Sequence, residues 1–230
     1  MEFQEALIHG TLLKRYKRFL ADIELDNGEV VTAHCTNTGS MKSCIEIGAE
    51  VYLSPTNNPL RKTKFTWEMI KINGNWVGIN TNNPNKLAFD AISKHEIPEL
   101  SGYTEVFREV KWEDSRFDIM AKNETETCFF EVKNVSMKEG NFALFPDAIT
   151  TRGKKHLETL IRVKKSGMRA IMLYIVQRCD VDTFSTAKEI DPEYAKTLKK
   201  AFDSGIEIFV FQAKVTATSI IITKRIPVKL

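Results

Sequence analysis

The stretch that decides the fold reads Arg116-Phe117-Asp118-Ile119-Met120-Ala121 and, after a short polar break, Thr127-Cys128-Phe129-Phe130-Glu131-Val132-Lys133. Phe117, Ile119, Phe129, Phe130 and Val132 make both segments apolar enough to be largely buried strands, and the break between them makes a hairpin. Side chains alternate faces along a strand, so Glu131 and Lys133 point the same way and Asp118 meets them from the neighbouring strand. Unpaired buried charge is costly, which makes charges at 118, 131 and 133 hard to place as decoration. Two carboxylates held together repel unless a cation lies between them. Their hard oxygens suit Mg²⁺ or Mn²⁺ rather than zinc, with the backbone carbonyl of Val132 as a further ligand. Lys133 then stands where it can orient a metal-activated water or stabilise a pentacovalent phosphate, which is the chemistry of phosphodiester hydrolysis. Glu109, one strand earlier, is a candidate extra metal-shell acid. Gln177, at the end of the strand after the next helix, is a candidate substrate or water contact.

An acid on one strand, Glu-x-Lys on the next and a long helix afterwards resemble the PD-(D/E)xK phosphodiesterase superfamily. Its core is a three-strand meander, a helix and a returning strand. Phe117 stands where the nominal motif has proline.

Working outward, the chain from 81 to 230 reads as a mixed α/β domain. A short helix over Lys86 to Lys94 precedes strands at Val106 to Trp112, Arg116 to Ala121 and Thr127 to Lys133. Helices at about Ala148 to Ser166 and Pro192 to Ser204 alternate with strands at Ala170 to Val176, Ile206 to Phe211 and Lys214 to Thr223. Asp147 is the expected N-cap of the first of these helices, Asp191-Pro192 starts the second, and Gly205 stops it.

Residues 1 to 80 read instead as about five short strands, an all-β domain that suits an OB-like barrel. Asn27-Gly28 between Arg18 to Asp26 and Glu29 to Cys35 is a strong hairpin signal. Pairing Asp26 with Glu29 sets Ala21 opposite His34 and predicts a core histidine at 34. Strands are also expected at Leu7 to Arg15, Glu50 to Ser54, Phe65 to Ile72 and Trp76 to Ile79. The boundary falls near residue 80, because no charge occurs between Lys71 and Lys86 while Asn occupies 73, 75, 80, 82, 83 and 85. That composition is turn chemistry.

The chain of 230 residues is 43% hydrophobic and 27% charged, which excludes disordered and low-complexity classes. Its net charge of +3 says little by itself; residues 1 to 80 balance nine basic against nine acidic side chains, so all the excess lies in the second segment. Seven basic residues and one acid occupy Arg152 to Arg169, and helical spacing gathers Lys155, Arg162, Lys165 and Arg169 on one face, with Arg152 one turn earlier. Beside a phosphodiesterase site such a face is a candidate DNA backbone track. In the first segment Lys14, Arg15, Lys17 and Arg18 adjoin Tyr16 and Phe19, and Arg61 and Lys62 precede Phe65, positions suited to backbone neutralisation and base stacking. Four scattered cysteines without a C-x-x-C pair fit reduced thiols and a cytoplasmic protein. No signal peptide or long apolar run predicts a membrane partner. There is also no Gly-rich phosphate loop, dinucleotide fingerprint or Ser-His-Asp order to favour a small-ligand enzyme.

Several words of the sequence, in order, also resemble the sugar fermentation stimulation protein A family over essentially the whole length. They include Gly10-Thr11-Leu12, Lys14 to Asp22, Thr32-Ala33-His34-Cys35, Asn37-Thr38-Gly39-Ser40-Met41, Arg116-Phe117-Asp118, Glu131-Val132-Lys133 and Ala143-Leu144-Phe145-Pro146-Asp147-Ala148. The resemblance implies an OB-like N-terminal domain, a nuclease-like C-terminal domain, DNA binding, and a proposed role in regulating sugar (maltose) metabolism. It leaves open whether DNA is cut or only held.

Overall fold

The computed structural model describes residues 1–230. Its first part is a β-barrel. Strands β1 (Ile8–Tyr16), β2 (Leu20–Leu25), β3 (Val30–His34), β4 (Glu50–Pro55), β5 (Phe65–Ile72) and β6 (Asn75–Gly78) lie in the order β3-β2-β1-β4-β5-β6, and a parallel β3–β5 pairing closes five of them on themselves. Alternating side chains fill the inside, with Leu12, Ile23, Val51, Leu53 and Trp67 fully buried.

The β2–β3 hairpin corrects one expectation. Leu25 donates to and pairs with Glu29 (2.8 Å), so three residues form the turn, with Gly28 at φ 83°. The extra left-handed residue slips the register by one position: Ile23 faces Val31, Ala21 faces Ala33, and His34 lies opposite Leu20. A one-residue slip exchanges the two faces, so Ala33 is buried and His34 is only half-buried, off the barrel core.

The second part continues with α1 (Asn83–Ser93), the meander β7 (Glu105–Trp112), β8 (Ser115–Lys122) and β9 (Thr127–Val135), then β10 (Met137–Glu139), β11 (Phe142–Phe145) and α2 (Thr151–Lys165). After these come β12 (Arg169–Val176), β13 (Thr183–Thr186), α3 (Pro192–Asp203), β14 (Glu207–Val215), β15 (Ile220–Arg225) and β16 (Val228–Lys229). The main sheet runs β15-β14-β12-β9-β8-β7, with β12 parallel to both β9 and β14. Its two faces bury separate cores. Ile119, Phe130, Ile171 and Phe209 pack with α1, whereas Phe129, Met172 and Tyr174 pack with Leu157 and Leu160 of α2 and Leu198 of α3. A minor sheet, β10-β11-β13-β16, uses strands of two to four residues, too short to show a period in sequence. The break expected near Gln212 lies instead at Thr216 to Ser219, where the Thr216 hydroxyl accepts from the Ser219 amide (3.0 Å) and turns β14 into β15.

Asp191 caps α3 as expected, accepting from the Tyr194 amide (2.9 Å), and Gly205 follows the helix at φ 86°. For α2 the cap is Thr150, which accepts from the Gly153 amide (3.0 Å), and the helix starts at Thr151 rather than Ala148. Asp147 is drawn away to the barrel, where it accepts from the Met41 amide (3.3 Å). A Cβ at Gly39 would come within 2.1 Å of that carboxylate, so any larger residue there would push Asp147 off this contact. The parts are also joined by Gly78, whose amide donates to the Gln177 carbonyl (2.8 Å), and by Met1, whose amino group reaches the Ile220 carbonyl (2.8 Å). The Asn-rich boundary does more than turn. Buried Glu68 accepts from the side chains of Asn80 (2.9 Å), Asn83 (3.0 Å) and Ser54 (2.7 Å). No helix is long and apolar enough to cross a membrane, and all four cysteines are free.

Candidate active site

The β8–β9 ladder is regular from Lys122↔Thr127 to Ile119↔Phe130 and then stops, while β9 remains zipped to β12 as far as Val135. The strands therefore part at Asp118 and Glu131. In the gap the Val132 amide donates to Asp118 Oδ2 (2.7 Å) in place of a ladder bond, and Asn85, from the first turn of α1, donates to Oδ1 (2.7 Å).

On β9, Lys133 Nζ donates to Glu131 Oε1, and His156 Nδ1 of α2 bonds the same oxygen. The Glu131 side chain is 1% exposed, and its second oxygen, Oε2, is buried without any partner. Burial works against ionisation of Glu131, yet the charge of Lys133 and the contact with His156 outweigh it and hold the carboxyl below its ordinary range. Asp118 goes the other way. Burial, reinforced by the negative charge of Glu131, pushes its pKa up to about 6 against the pull of Lys133, the Val132 amide and Asn85. One carboxylate held charged beside another that resists ionisation is how two buried acids share a site, and a cation would relieve the repulsion between them.

Side chains of Asp118, Glu131 and Lys133 line a cleft of about 470 Å³ between the two parts of the molecule. Its other wall is the barrel loop Thr36 to Gly39 with Arg18, and its rim is the segment from Leu144 to Thr150. Two arginines fix the barrel wall: Arg15 donates to the carbonyls of Asn37 (2.8 Å) and Gly39 (3.0 Å), and Arg18 to that of Thr38 (2.6 Å). A divalent metal fits the donor chemistry of Asp118, Glu131 with its orphaned Oε2, and the Val132 backbone. No cluster of three or more His, Cys, Asp or Glu side chains gathers there, so such an ion would keep several waters.

Asp118, Glu131, Val132 and Lys133 are thus brought together as the sequence predicts, and two further expected residues are not. Glu109 stands opposite Asp118 where the β7–β8 pairing is interrupted on both strands, but at φ 55° its exposed carboxylate lies 3.9 Å from Arg116 and does not line the cleft. Gln177 is fully buried behind the site, donating to the Asn80 carbonyl (3.2 Å) and to Asn134 Oδ1 (2.8 Å), so it joins the two parts and touches no solvent. The basic face of α2 is also arranged differently from expectation. Arg169 is not on the helix; it opens β12 and is forked onto Glu207 (2.7 and 2.8 Å). Lys155 pairs with Asp114 (2.8 Å), and Arg162 with Glu113 (2.8 Å) and Asp114 (3.0 Å). Lys165 is exposed and unpaired, and Arg152 reaches the cleft beside His156 (3.4 Å). Lys14 pairs with Asp22 (3.2 Å).

Sequence reasoning missed His156, Asn85 and Asp147. His156 stands among the basic residues of α2 and reads as one of them, but it lies on the buried stripe with Leu157 and Leu160; its place one helical turn before Leu160 was the available signal.

Comparison with known proteins agrees with this architecture. Residues 13–79 match the model described as "SfsA N-terminal OB domain", and residues 82–219 the "Sugar fermentation stimulation protein RE domain". A sugar fermentation stimulation protein homolog of Geotalea uraniireducens is 46% identical over 231 residues, covering all of both chains. One from Geobacter metallireducens is 45% identical over 99% of each chain. Among solved structures, Pyrococcus furiosus SfsA in complex with Ca²⁺ superposes with a TM-score of 0.91 at 28% identity, over 100% of this chain and 98% of that one.

Proposed function

Given that the chain belongs to the sugar fermentation stimulation protein family, we propose that it is a DNA-binding protein whose second domain hydrolyses phosphodiesters with a divalent metal, Mg²⁺ or Mn²⁺. The observation that carries this reading is the buried, unpartnered Oε2 of Glu131, on a residue that lines the same cleft as Asp118, itself hard to ionise. The Ca²⁺ complex of the Pyrococcus furiosus relative supports a divalent ion at a hard-oxygen site.

Asp118, Glu131 and the Val132 carbonyl would hold the ion, which when bound supplies Lewis acidity and a water acidified towards a nucleophile. The remaining roles belong to the chain itself. His156 and Lys133 share Glu131 Oε1 and so fix that carboxylate with Oε2 turned free. Lys133 also brings a positive charge into the cleft, placed to steady charge that develops on a phosphate. Asn85 and the Val132 amide orient Asp118, and Arg152 adds a cation at the rim.

The test is incubation of the purified protein with single- and double-stranded DNA in Mg²⁺, Mn²⁺ or EDTA, beside Asp118→Asn. Metal-dependent cleavage that the variant lacks is expected. Absence of cleavage on every substrate would leave a DNA-binding protein without hydrolytic activity, and equal cleavage by Asp118→Asn would take the Asp118 site out of the reaction.

A further inference from the structure

A second cavity lies on the barrel, outside the site just described. It encloses about 970 Å³ against the turn between β1 and β2, the strand β3 and the loop between β4 and β5. Lys17, Arg61 and Lys62 provide its charge, and Phe19 and His34 its rings. No aspartate or glutamate lines it. Lys17 and Lys62 are exposed and lie within 4.0 Å of no carboxylate, while Arg61 bonds only the Thr66 hydroxyl (3.0 Å). Phe19 is 44% exposed, an unusual use of a phenyl ring beside two cations unless something stacks on it.

The groove and the cleft lie on either side of Thr36. Thr36 lines both, and the left-handed pair Lys17 (φ 50°) and Arg18 (φ 66°) divides between them, Lys17 lining the groove and Arg18 the cleft. Cations without acids call for a polyanion, and open rings beside them call for bases that are not already stacked in a duplex. The cleft volume of about 470 Å³ falls in the range that holds a compact ligand.

We propose that the barrel groove binds single-stranded DNA and leads the strand past Thr36 into the Asp118–Glu131 cleft, so that the substrate of the second domain is a single strand or a tailed duplex. This deepens the hydrolytic reading above and rests on it for what happens at the cleft, whereas strand binding in the groove stands by itself.

The experiment measures fluorescence anisotropy of labelled single-stranded, blunt duplex and tailed duplex DNA in EDTA, so that nothing is cut. Single-stranded and tailed DNA are expected to bind on the order of tenfold tighter than blunt duplex. Phe19→Ala and Lys62→Glu, both at exposed positions, should each weaken single-strand binding on the order of five- to tenfold. Lys199→Glu on α3, outside both cavities, should not. Equal affinity for single strand and blunt duplex, or full affinity in both groove variants, overturns the proposal. Cleavage in Mg²⁺ is then scored separately. Loss of all cleavage with the binding pattern intact overturns the hydrolytic reading and supports the groove, whereas indiscriminate cutting of blunt duplex overturns the threading.

Discussion

Two basic regions of this molecule are similar in sequence and opposite in what their charges touch. Along α2 and into β12, Lys154 meets Glu193 (2.8 Å), Lys155 meets Asp114, Arg162 meets Glu113 and Asp114, and Arg169 is forked onto Glu207. On the barrel, Lys17 and Lys62 meet no acid, although residues 1 to 80 carry no net charge at all. A phosphate approaching α2 has to displace a carboxylate, whereas one approaching the groove displaces only water and counterions. Local charge density along a chain therefore measures the field poorly; the partners folded against each cation decide how much of it is left.

The sharpest way to break this comparison separates holding from cutting. Asp118→Asn should lower metal-dependent cleavage by about a hundredfold or more. DNA affinity should stay the same or rise, because a negative charge has gone and no groove cation is touched. Loss of binding together with cleavage would show that the cleft, rather than the groove, provides the affinity.

Next in size is Arg169→Ala. Its side chain is 19% exposed and also bonds Tyr103 (2.9 Å), so its removal leaves Glu207 and Tyr103 short of a partner. A loss of about 2–4 kcal/mol in denaturant unfolding is expected, with DNA affinity of the folded protein unchanged. A specific loss of affinity at full stability would return Arg169 to the binding surface.

The same Asp118→Asn substitution also has a signature in metal-free stability. The folded chain holds the Asp118 proton up to about 6, above the ordinary value of 3.8, so the carboxylate form penalises folding above about pH 6. The penalty fades as pH falls from 6 towards 4, where the folded and unfolded forms are both protonated. In EDTA the Asn variant should be more stable than its parent by about 1–3 kcal/mol at neutral pH and should lose that advantage near pH 4. Thermal unfolding across that range checks it.

The smallest expected effects are the paired surface substitutions. Lys62→Glu should lower the slope of log affinity against log salt by about one or more, while Arg162→Ala should leave the slope as it was. Arg162→Ala should also cost less than about 1 kcal/mol of stability, since both acids it pairs with are at least half exposed. Equal slopes for the two would erase the distinction between the regions.

Legibility in the sequence followed the range of the interactions. The main strands, both longer helices and the Asp118, Glu131, Lys133 set were readable because burial alternates within a strand and recurs along a helix. Asp191 was readable as a cap because the amide it accepts from is three residues away. Asp147 looked equivalent and was not, because its partner is Met41, in the other domain. The asparagines divide in the same way. Asn73, at φ 49°, serves a turn as composition suggests, but Asn80 and Asn83 hold buried Glu68 and Asn85 holds Asp118.

Local pattern was enough to place Asp118, Glu131 and Lys133 on two neighbouring buried strands and to set the kinds of element around them, because alternation, helical period and capping are local properties of the chain. Tertiary contacts alone settled that β8 leaves β9 at Asp118, that His156 turns onto Glu131, and that the barrel walls one side of the cleft. Each of these depends on a partner far away in sequence. The same reason gives the net charge of +3 its meaning: folding sets three of the six cations of α2, and Arg169 beyond it, against acids, and leaves Lys17, Arg61 and Lys62 of the balanced barrel without one.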